Sequence, residues 1–273
     1  MAEAEGLKGR VLIIAGSDSG GGAGIQADIK AVTLLGGYAM TAVTAITAQD
    51  TRGVHGVWPV PLEAVLGQIK VTLADIGADV IKTGMLGSAA LVEAIAEALH
   101  AQGGAIARVI DPVMVATSGD RLVDERAIGA IRSELIPRAR LVTPNAPEAE
   151  VLTGKPVETL DGQRRAAERL LEQGAHGALV KGGHIGGKVI HDVLQTTTGE
   201  WIFESPRIQT TSTHGTGCTL ASAIAALLGQ GRSVPEAVEQ GRDYLHGAIK
   251  AAKALGRGHG PVHHGWRLDP PGD

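Results

Sequence analysis

The chain has 273 residues, with 25 basic side chains against 29 acidic ones for a formal charge of −4, a balance that offers no footprint for a polyanion, so nucleic-acid binding is not expected. Its single cysteine, Cys218, excludes an internal disulfide and a cysteine-rich zinc site. Three Trp, two Tyr and one Phe leave Val, Ile, Leu and Ala to build the core, which is an α/β composition.

In chain order, the polar start MAEAEGLKGR has no apolar stretch behind a basic one. No later apolar run reaches membrane-spanning length, and a cytoplasmic, non-membrane protein is expected. VLIIA, from Val11 to Ala15, reads as a strand. GIQADIKAVTLL, from Gly24, reads as a helix with Ile25, Ile29 and Val32 on its apolar face, stopped by Gly36 and Gly37. The segment from Thr41 to Val60 looks like strands joined by turns and predicts an extra small sheet. DVIKT after Asp79, RVID ending at Asp111, LVT ending at Thr143 and ALVK ending at Lys181 are further short apolar strands, with a helix from Ser88 to about Gln102 among them. Val189 to Ser205 reads as a late hairpin. Ser233 and Glu236 have capping-box spacing and open a helix expected to reach about Leu255. The Gly- and His-rich tail from Gly256 is expected to be irregular and its last residues mobile. Strands that are apolar throughout and joined by helices need both faces covered. The expected fold is therefore α/β, a doubly wound, mostly parallel central sheet with helices on both faces, in a single domain over 1–273 with its core at about 11–264.

The most informative stretch is TTSTHGTGCTLASAIAALLG, a polar run meeting an alanine-rich helix. Gly215 and Gly217 allow a tight turn whose free N–H groups point at a phosphate, so Gly215, Thr216, Gly217 and Cys218 form a candidate catalytic turn and Thr213 a candidate phosphate contact. A helix N-terminus lowers a thiol pKa, which places Cys218 as a base; the competing reading is a small buried cysteine at a helix start. In TPNAPEAE, Asn145 and Glu148 suit nucleotide phosphates and Mg²⁺, and equally suit an Asn N-cap answered by Glu. GSDSGGGAG lacks the Lys-Ser/Thr of a P-loop. Gly22, Gly24 and Ala27 satisfy a dinucleotide pattern, but no acidic residue follows a second strand at the required distance. The glycines are better read as giving a substrate access to backbone, with Asp28 one turn along the helix, where it also reads as an ordinary solvated carboxylate. Gln49 ends an apolar strand and offers a donor beside an acceptor, as an aminopyrimidine edge requires, or is simply solvated. Lys181 is placed to reach phosphate oxygens or to cap a sheet edge, and Met85 to pack on a flat ring or fill the core. The ten histidines lack ligand spacing, and no structural metal is assigned.

AGSDSGGGAGIQADIKA, TAVTAITAQDTRGV, KTGMLG, DPVMVATSG, TPNAPEAE, VKGGH, THGTGCTLASAIAA and GPVHH resemble, in order and spacing, the hydroxymethylpyrimidine/phosphomethylpyrimidine kinases of the ribokinase superfamily. The resemblance runs from about Val11 to His264. It implies a ribokinase-like fold with a small β lid, a homodimer, and ATP with Mg²⁺ as cofactor, with a monovalent cation as an optional activator. The implied activity phosphorylates 4-amino-5-hydroxymethyl-2-methylpyrimidine, and then its monophosphate to the pyrophosphate, in thiamine biosynthesis. Gly16, Asp28, Gln49, Met85 and Val113 match the substrate positions, and Gly215 to Cys218 the anion hole and base. Asn145 and Glu148 match the phosphate and magnesium motif, with Glu148 acting through water, and Lys181 falls near the ATP phosphates. Thr117 stands where a lid lysine is common. Cys218, in place of the Asp of ribokinases proper, favours the pyrimidine branch. The alternatives are a pyridoxal/pyridoxine kinase of the cysteine-bearing type, whose second lid cysteine is here Ala116, a non-catalytic pyrimidine-binding protein, and a dinucleotide-dependent oxidoreductase.

Overall fold

The computed structural model describes residues 8–116, 119 and 122–269. Thr117, the ends of the chain and the expected mobility of its last residues lie outside this range. The first strand, β1 (Arg10–Asp18), carries the alternation that organises the molecule. Its side chains point to opposite faces in turn: Leu12 and Ile14 pack into one core, Val11, Ile13 and Ala15 into another. Both cores exclude water, so a strand apolar at every position is the stable solution, as the parallel-sheet reading expects.

The remaining strands are β2 (Tyr38–Gln49), β3 (Val54–Pro59), β4 (Val80–Thr83), β5 (Ala107–Ile110), β6 (Leu141–Val142), β7 (Gly177–Val180), β8 (Val189–Thr196) and β9 (Gly199–Pro206). They form one sheet in the order β3-β2-β1-β4-β5-β6-β7-β8-β9. From β2 to β7 every neighbouring pair is parallel. The β2–β3, β7–β8 and β8–β9 pairs are antiparallel. The late hairpin thus appears where expected. The Thr41–Val60 segment corrects its expectation of an extra sheet: β2 pairs with β1 over Tyr38–Val43 and, past a register shift, at Ile46 and Thr47, while its far end pairs on the other side with β3 as the outer margin of the same sheet. The lid is the sheet's own edge.

Helices α2 (Leu62–Asp75), α3 (Ala89–Gly103), α4 (Glu125–Ala130), α5 (Ala146–Thr153) and α6 (Leu160–Glu172) supply the apolar residues of one face. Helices α1 (Gly24–Leu34), α7 (Thr216–Gly229) and α8 (Val234–Lys250) cover the other. On α1 the buried residues are Ala27, Asp28, Ala31 and Val32, while Ile29 is 38% exposed. The apolar face read from Ile25, Ile29 and Val32 is corrected accordingly. Because α1 is wedged between β1 and α7, small residues set its inner face. Helix α8 opens on the expected Ser233–Glu236 capping box but ends at Lys250, five residues before Leu255. Beyond it the chain turns back toward β2, and Arg257 and Gly258 donate their amides to Thr51 Oγ1. The tail beyond is irregular, as expected, apart from a short 3₁₀ turn at Trp266–Leu268. It is nevertheless anchored: His214 donates its amide to the Gly260 carbonyl, and His264 pairs with Thr219.

Candidate active site

Parallel strands end at one edge of the sheet, and ligands of open α/β proteins bind outside those carboxyl ends. Here that edge opens into a cavity of about 950 Å³. The end of β1 brings Gly16 and Asp18 to it, and the end of β2 brings Gln49. The loops after β4 and β5 bring Met85, Asp111 and Val113, while Asn145, Glu148 and Lys181 come from the ends of β6 and β7. Gly215 to Cys218, at the start of α7, and Thr213 just before it also line the wall. Of the residues expected to bind substrate or phosphate or to act in catalysis, only Asp28 is not on this wall.

The turn into α7 depends on two glycines that meet. Gly215 has φ +80°, and any Cβ there would collide with the Gly22 carbonyl; Gly22 in turn lies flat against the His214 ring. Asp18 fastens this contact. Its carboxylate accepts amide bonds from Gly20 (2.8 Å), Gly22 (2.9 Å) and Ala23 (2.7 Å), and it meets His214 Nε2 at 2.8 Å. Burial alone would raise the Asp18 pKa, but His214 and the amides outweigh it and hold the carboxyl below its usual value. The start of α7 has no side-chain cap; the Thr216 amide goes to the Thr213 carbonyl, and the turn lines the cavity.

Gly16 is required for another reason: a Cβ would lie 2.5 Å from the Met85 methyl, so the thioether packs directly on backbone. Asn145 and Glu148 form a reciprocal capping box, with Glu148 N donating to Asn145 Oδ1 at 2.9 Å and Asn145 N to Glu148 Oε2 at 2.8 Å. The structural use of this pair is thus realised, at the cavity wall. Burial pushes Glu148 up to about 7 against the pull of Lys181. Lys181 is no surface lysine: its ammonium contacts Asp111 Oδ1 at 3.3 Å, and although burial disfavours its charge, Asp111 and Glu148 raise its pKa.

Two expectations are corrected. Cys218 is half-buried at the third residue of α7, yet burial, countered by Lys82, pushes its thiol up to about 12, so desolvation outweighs the helix terminus expected to lower it. Asp28 is neither at the cavity nor solvated. It is fully buried, and its Oδ1 accepts from Lys82 Nζ at 2.8 Å and Ser222 Oγ at 2.6 Å.

The residues missed were Asp111, the Asp18–His214 pair and Lys82. Asp111 ends its strand as Lys181 does, and that shared position was the available signal. Lys82 was a lysine inside an otherwise apolar strand, a costly placement that needs a partner. His214 was hidden among ten histidines.

The family model described as phosphomethylpyrimidine kinase matches residues 18–263. The chain belongs to that family. It is 48% identical, over 94% of its length, to the hydroxymethylpyrimidine/phosphomethylpyrimidine kinase of Streptomyces coelicolor, of which it covers 95%. It is 50% identical, over 94% of its length, to a thiamine biosynthesis bifunctional protein of Geobacter sulfurreducens, of which it spans about half, 52%. Its fold superposes on Bacillus subtilis pyridoxal kinase in an ADP complex with a TM-score of 0.88 at 35% identity, covering 96% of this chain and 100% of that one. The kinase expectation and the ribokinase-like fold stand.

The cavity wall carries a donor set of the kind that a divalent cation bound with nucleotide phosphates requires. Asp111 Oδ2 is buried with no hydrogen-bond partner, and Glu148 joins it on the cavity wall from the adjacent strand end. Among the described residues no group of three or more His, Cys, Asp and Glu could cage a metal; Mg²⁺ characteristically takes one or two carboxylates and completes its shell with phosphates and water.

The raised Glu148 pKa has a definite sign. Between its ordinary value of 4.5 and about 7 the folded state binds the proton that the unfolded state releases, so this group's contribution to stability falls as pH rises through that window. Glu148→Gln should therefore gain stability relative to the parent between pH 5 and pH 7, read as the difference in Tm of the ligand-free proteins; a pH-independent difference would contradict the burial argument.

Proposed function

We propose that this chain, as one cytoplasmic kinase domain, transfers the γ-phosphoryl group of ATP to the hydroxymethyl oxygen of 4-amino-5-hydroxymethyl-2-methylpyrimidine. It then phosphorylates the resulting monophosphate to the pyrophosphate used in thiamine biosynthesis. The observation that carries this reading is that one cavity wall holds both halves of the chemistry: Gln49, Met85 and Val113 for a flat polar ring, and the α7 turn with Lys181 and Asn145 for phosphates.

Gln49 offers its amide to the ring nitrogen and exocyclic amine, and Met85, seated on Gly16, packs on the ring face. The α7 amides of Gly217 and Cys218 receive the negative charge of the phosphoryl group in flight. Lys181, already held by Asp111, faces the phosphate oxygens as a fixed point charge, and Thr213 adds a hydroxyl beside them. Asp111 and Glu148, the latter through water, would hold Mg²⁺, which supplies charge neutralisation on the phosphates when bound. The hydroxymethyl oxygen forms a bond to the γ-phosphorus as the bond to the ADP oxygen breaks. Its proton passes to Cys218 Sγ, which must be a thiolate to take it.

The discriminating assay is ADP release with MgATP and each of hydroxymethylpyrimidine, its phosphate, pyridoxal and pyridoxine. Both pyrimidines should turn over with the higher kcat/KM; a preference for pyridoxal would move the chain to the pyridoxal kinases that share its fold. In the same assay Gln49→Leu should raise the pyrimidine KM by the equivalent of about 1–3 kcal/mol, roughly fivefold to more than a hundredfold, and leave that for ATP unchanged.

Cys218→Ala should lower kcat for the first phosphorylation by about 10²–10⁴. The second step should lose less, because its acceptor phosphate is already ionised near neutral pH; equal losses would make the residue part of the anion site and not a base. Since the thiol is pushed up to about 12, the thiolate fraction grows about tenfold per pH unit below that value. The parent's first-step kcat should accordingly climb from pH 7 to pH 9.

Two copies pair, in this reading, through the outer end of β2–β3, where the register partners Ile46 and Trp58 are 50% and 58% exposed. Sedimentation velocity should show a dimer that Trp58→Lys converts to monomer; a monomeric parent would refute the pairing.

A further inference from the structure

The mechanism leaves unused an ion pair that the fold buries completely. Lys82, in the middle of β4, and Asp28, on α1, both have fully buried side chains. Lys82 Nζ lies 2.8 Å from Asp28 Oδ1, and Ser222 Oγ on α7 donates to the same oxygen. Asp28 Oδ2 has no partner. A buried pair of this kind is a poor stabiliser, because apolar residues of similar volume often serve the fold as well or better. Its place in the molecule offers another use. Ser222 follows Cys218 by four residues, so the two share one face of α7. Gly84, on the cavity wall, has no side chain, and a Cβ there would sit 3.3 Å from Lys82 Nζ. The ammonium thus lies just under the floor of the site, on the side of α7 that carries the sulfur.

We propose that Lys82 is a positioning residue for Cys218: its ammonium, clamped by Asp28 and through it to Ser222, holds a positive charge beneath the sulfur and favours the thiolate. For catalysis this rests on the reading of Cys218 as proton acceptor. The charged groups that act on the sulfur are Lys82 from β4, Asp28 from α1, Asp111 after β5 and Lys181 after β7. Burial raises the thiol most; Lys82 is the strongest charge opposing it, ahead of the two carboxylates that add to it, and the Gly24 amide also donates to the sulfur. Asp28 and burial therefore set a protonated resting thiol, and Lys82 limits how far from ionisation it stands. Removing the ammonium shifts the thiol further up, and at any pH below its pKa less thiolate remains.

Because the chain has one cysteine, iodoacetamide alkylation of the ligand-free protein reports on this sulfur alone. Two variants are compared with the parent at pH 8: Lys82→Met, and Lys82→Met combined with Asp28→Asn, which removes both buried charges and spares the fold an unpaired carboxylate. In Lys82→Met alkylation should slow by about tenfold, the effect of about one pKa unit; in the double variant, which also removes the carboxylate that opposes the thiolate, it should slow less but stay below the parent rate. The first-step kcat should fall by a similar factor, with its pH profile displaced to higher pH. Parent-rate alkylation in the folded double variant would overturn the proposal and reduce the pair to a structural one. Slower alkylation with unchanged kcat would support the action of Lys82 on the sulfur and remove Cys218 from the role of base, so the two readings fail separately.

Discussion

The site depends on one close approach of backbone to backbone. Gly215 turns into α7 with positive φ in a space that the Gly22 carbonyl would deny to any side chain. Without that contact, the loop after β1 and the start of α7 could not lie side by side, and the turn would not line the cavity that the first loop borders. Asp18 makes the approach durable by binding three amides of its own loop and the ring of His214 on the other. An unpaired buried carboxylate would be costly, so the same interactions that satisfy Asp18 fix the separation of the two loops.

Charge is distributed around this contact by depth. Near the cavity, Lys181 stands between Asp111 and Glu148, where incoming phosphates and a cation can redistribute the pairings. Deeper, Lys82 and Asp28 are closed off by β4, α1 and α7 and have no exposed surface. The upper set can exchange partners with ligands, whereas the lower set has a fixed geometry and acts only through its field, which low dielectric surroundings strengthen.

Much of this was legible in the sequence. The alternation of short apolar strands with helices gave the parallel sheet, because strands buried on both faces have few other arrangements. Gly215 was legible because positive φ and close contact both demand that residue. Less legible were features fixed by tertiary neighbours. The inner face of α1 is set by α7, which displaces Ile29 outward. Asp28 looked like a surface carboxylate because its partner, Lys82, is 54 residues away. Local pattern placed Cys218 at a helix terminus, but the protonation of its sulfur is decided by burial, and burial is a property of the whole fold. Asn145 and Glu148 illustrate the opposite case: the capping box and a place at the ligand-binding edge were both readable, and the structure realises the two together.

The tail after α8 bears on how the protein is made. His214, which flanks the turn into α7, binds Asp18 from the first strand and the Gly260 carbonyl, and Thr219 of α7 is tied to His264. During synthesis, Asp18 leaves the ribosome 196 residues before His214, and the contacts that steady the turn must wait longer still. A nascent chain therefore passes most of its elongation with this wall of the cavity unassembled, and the wall closes only when nearly all of the sequence has emerged.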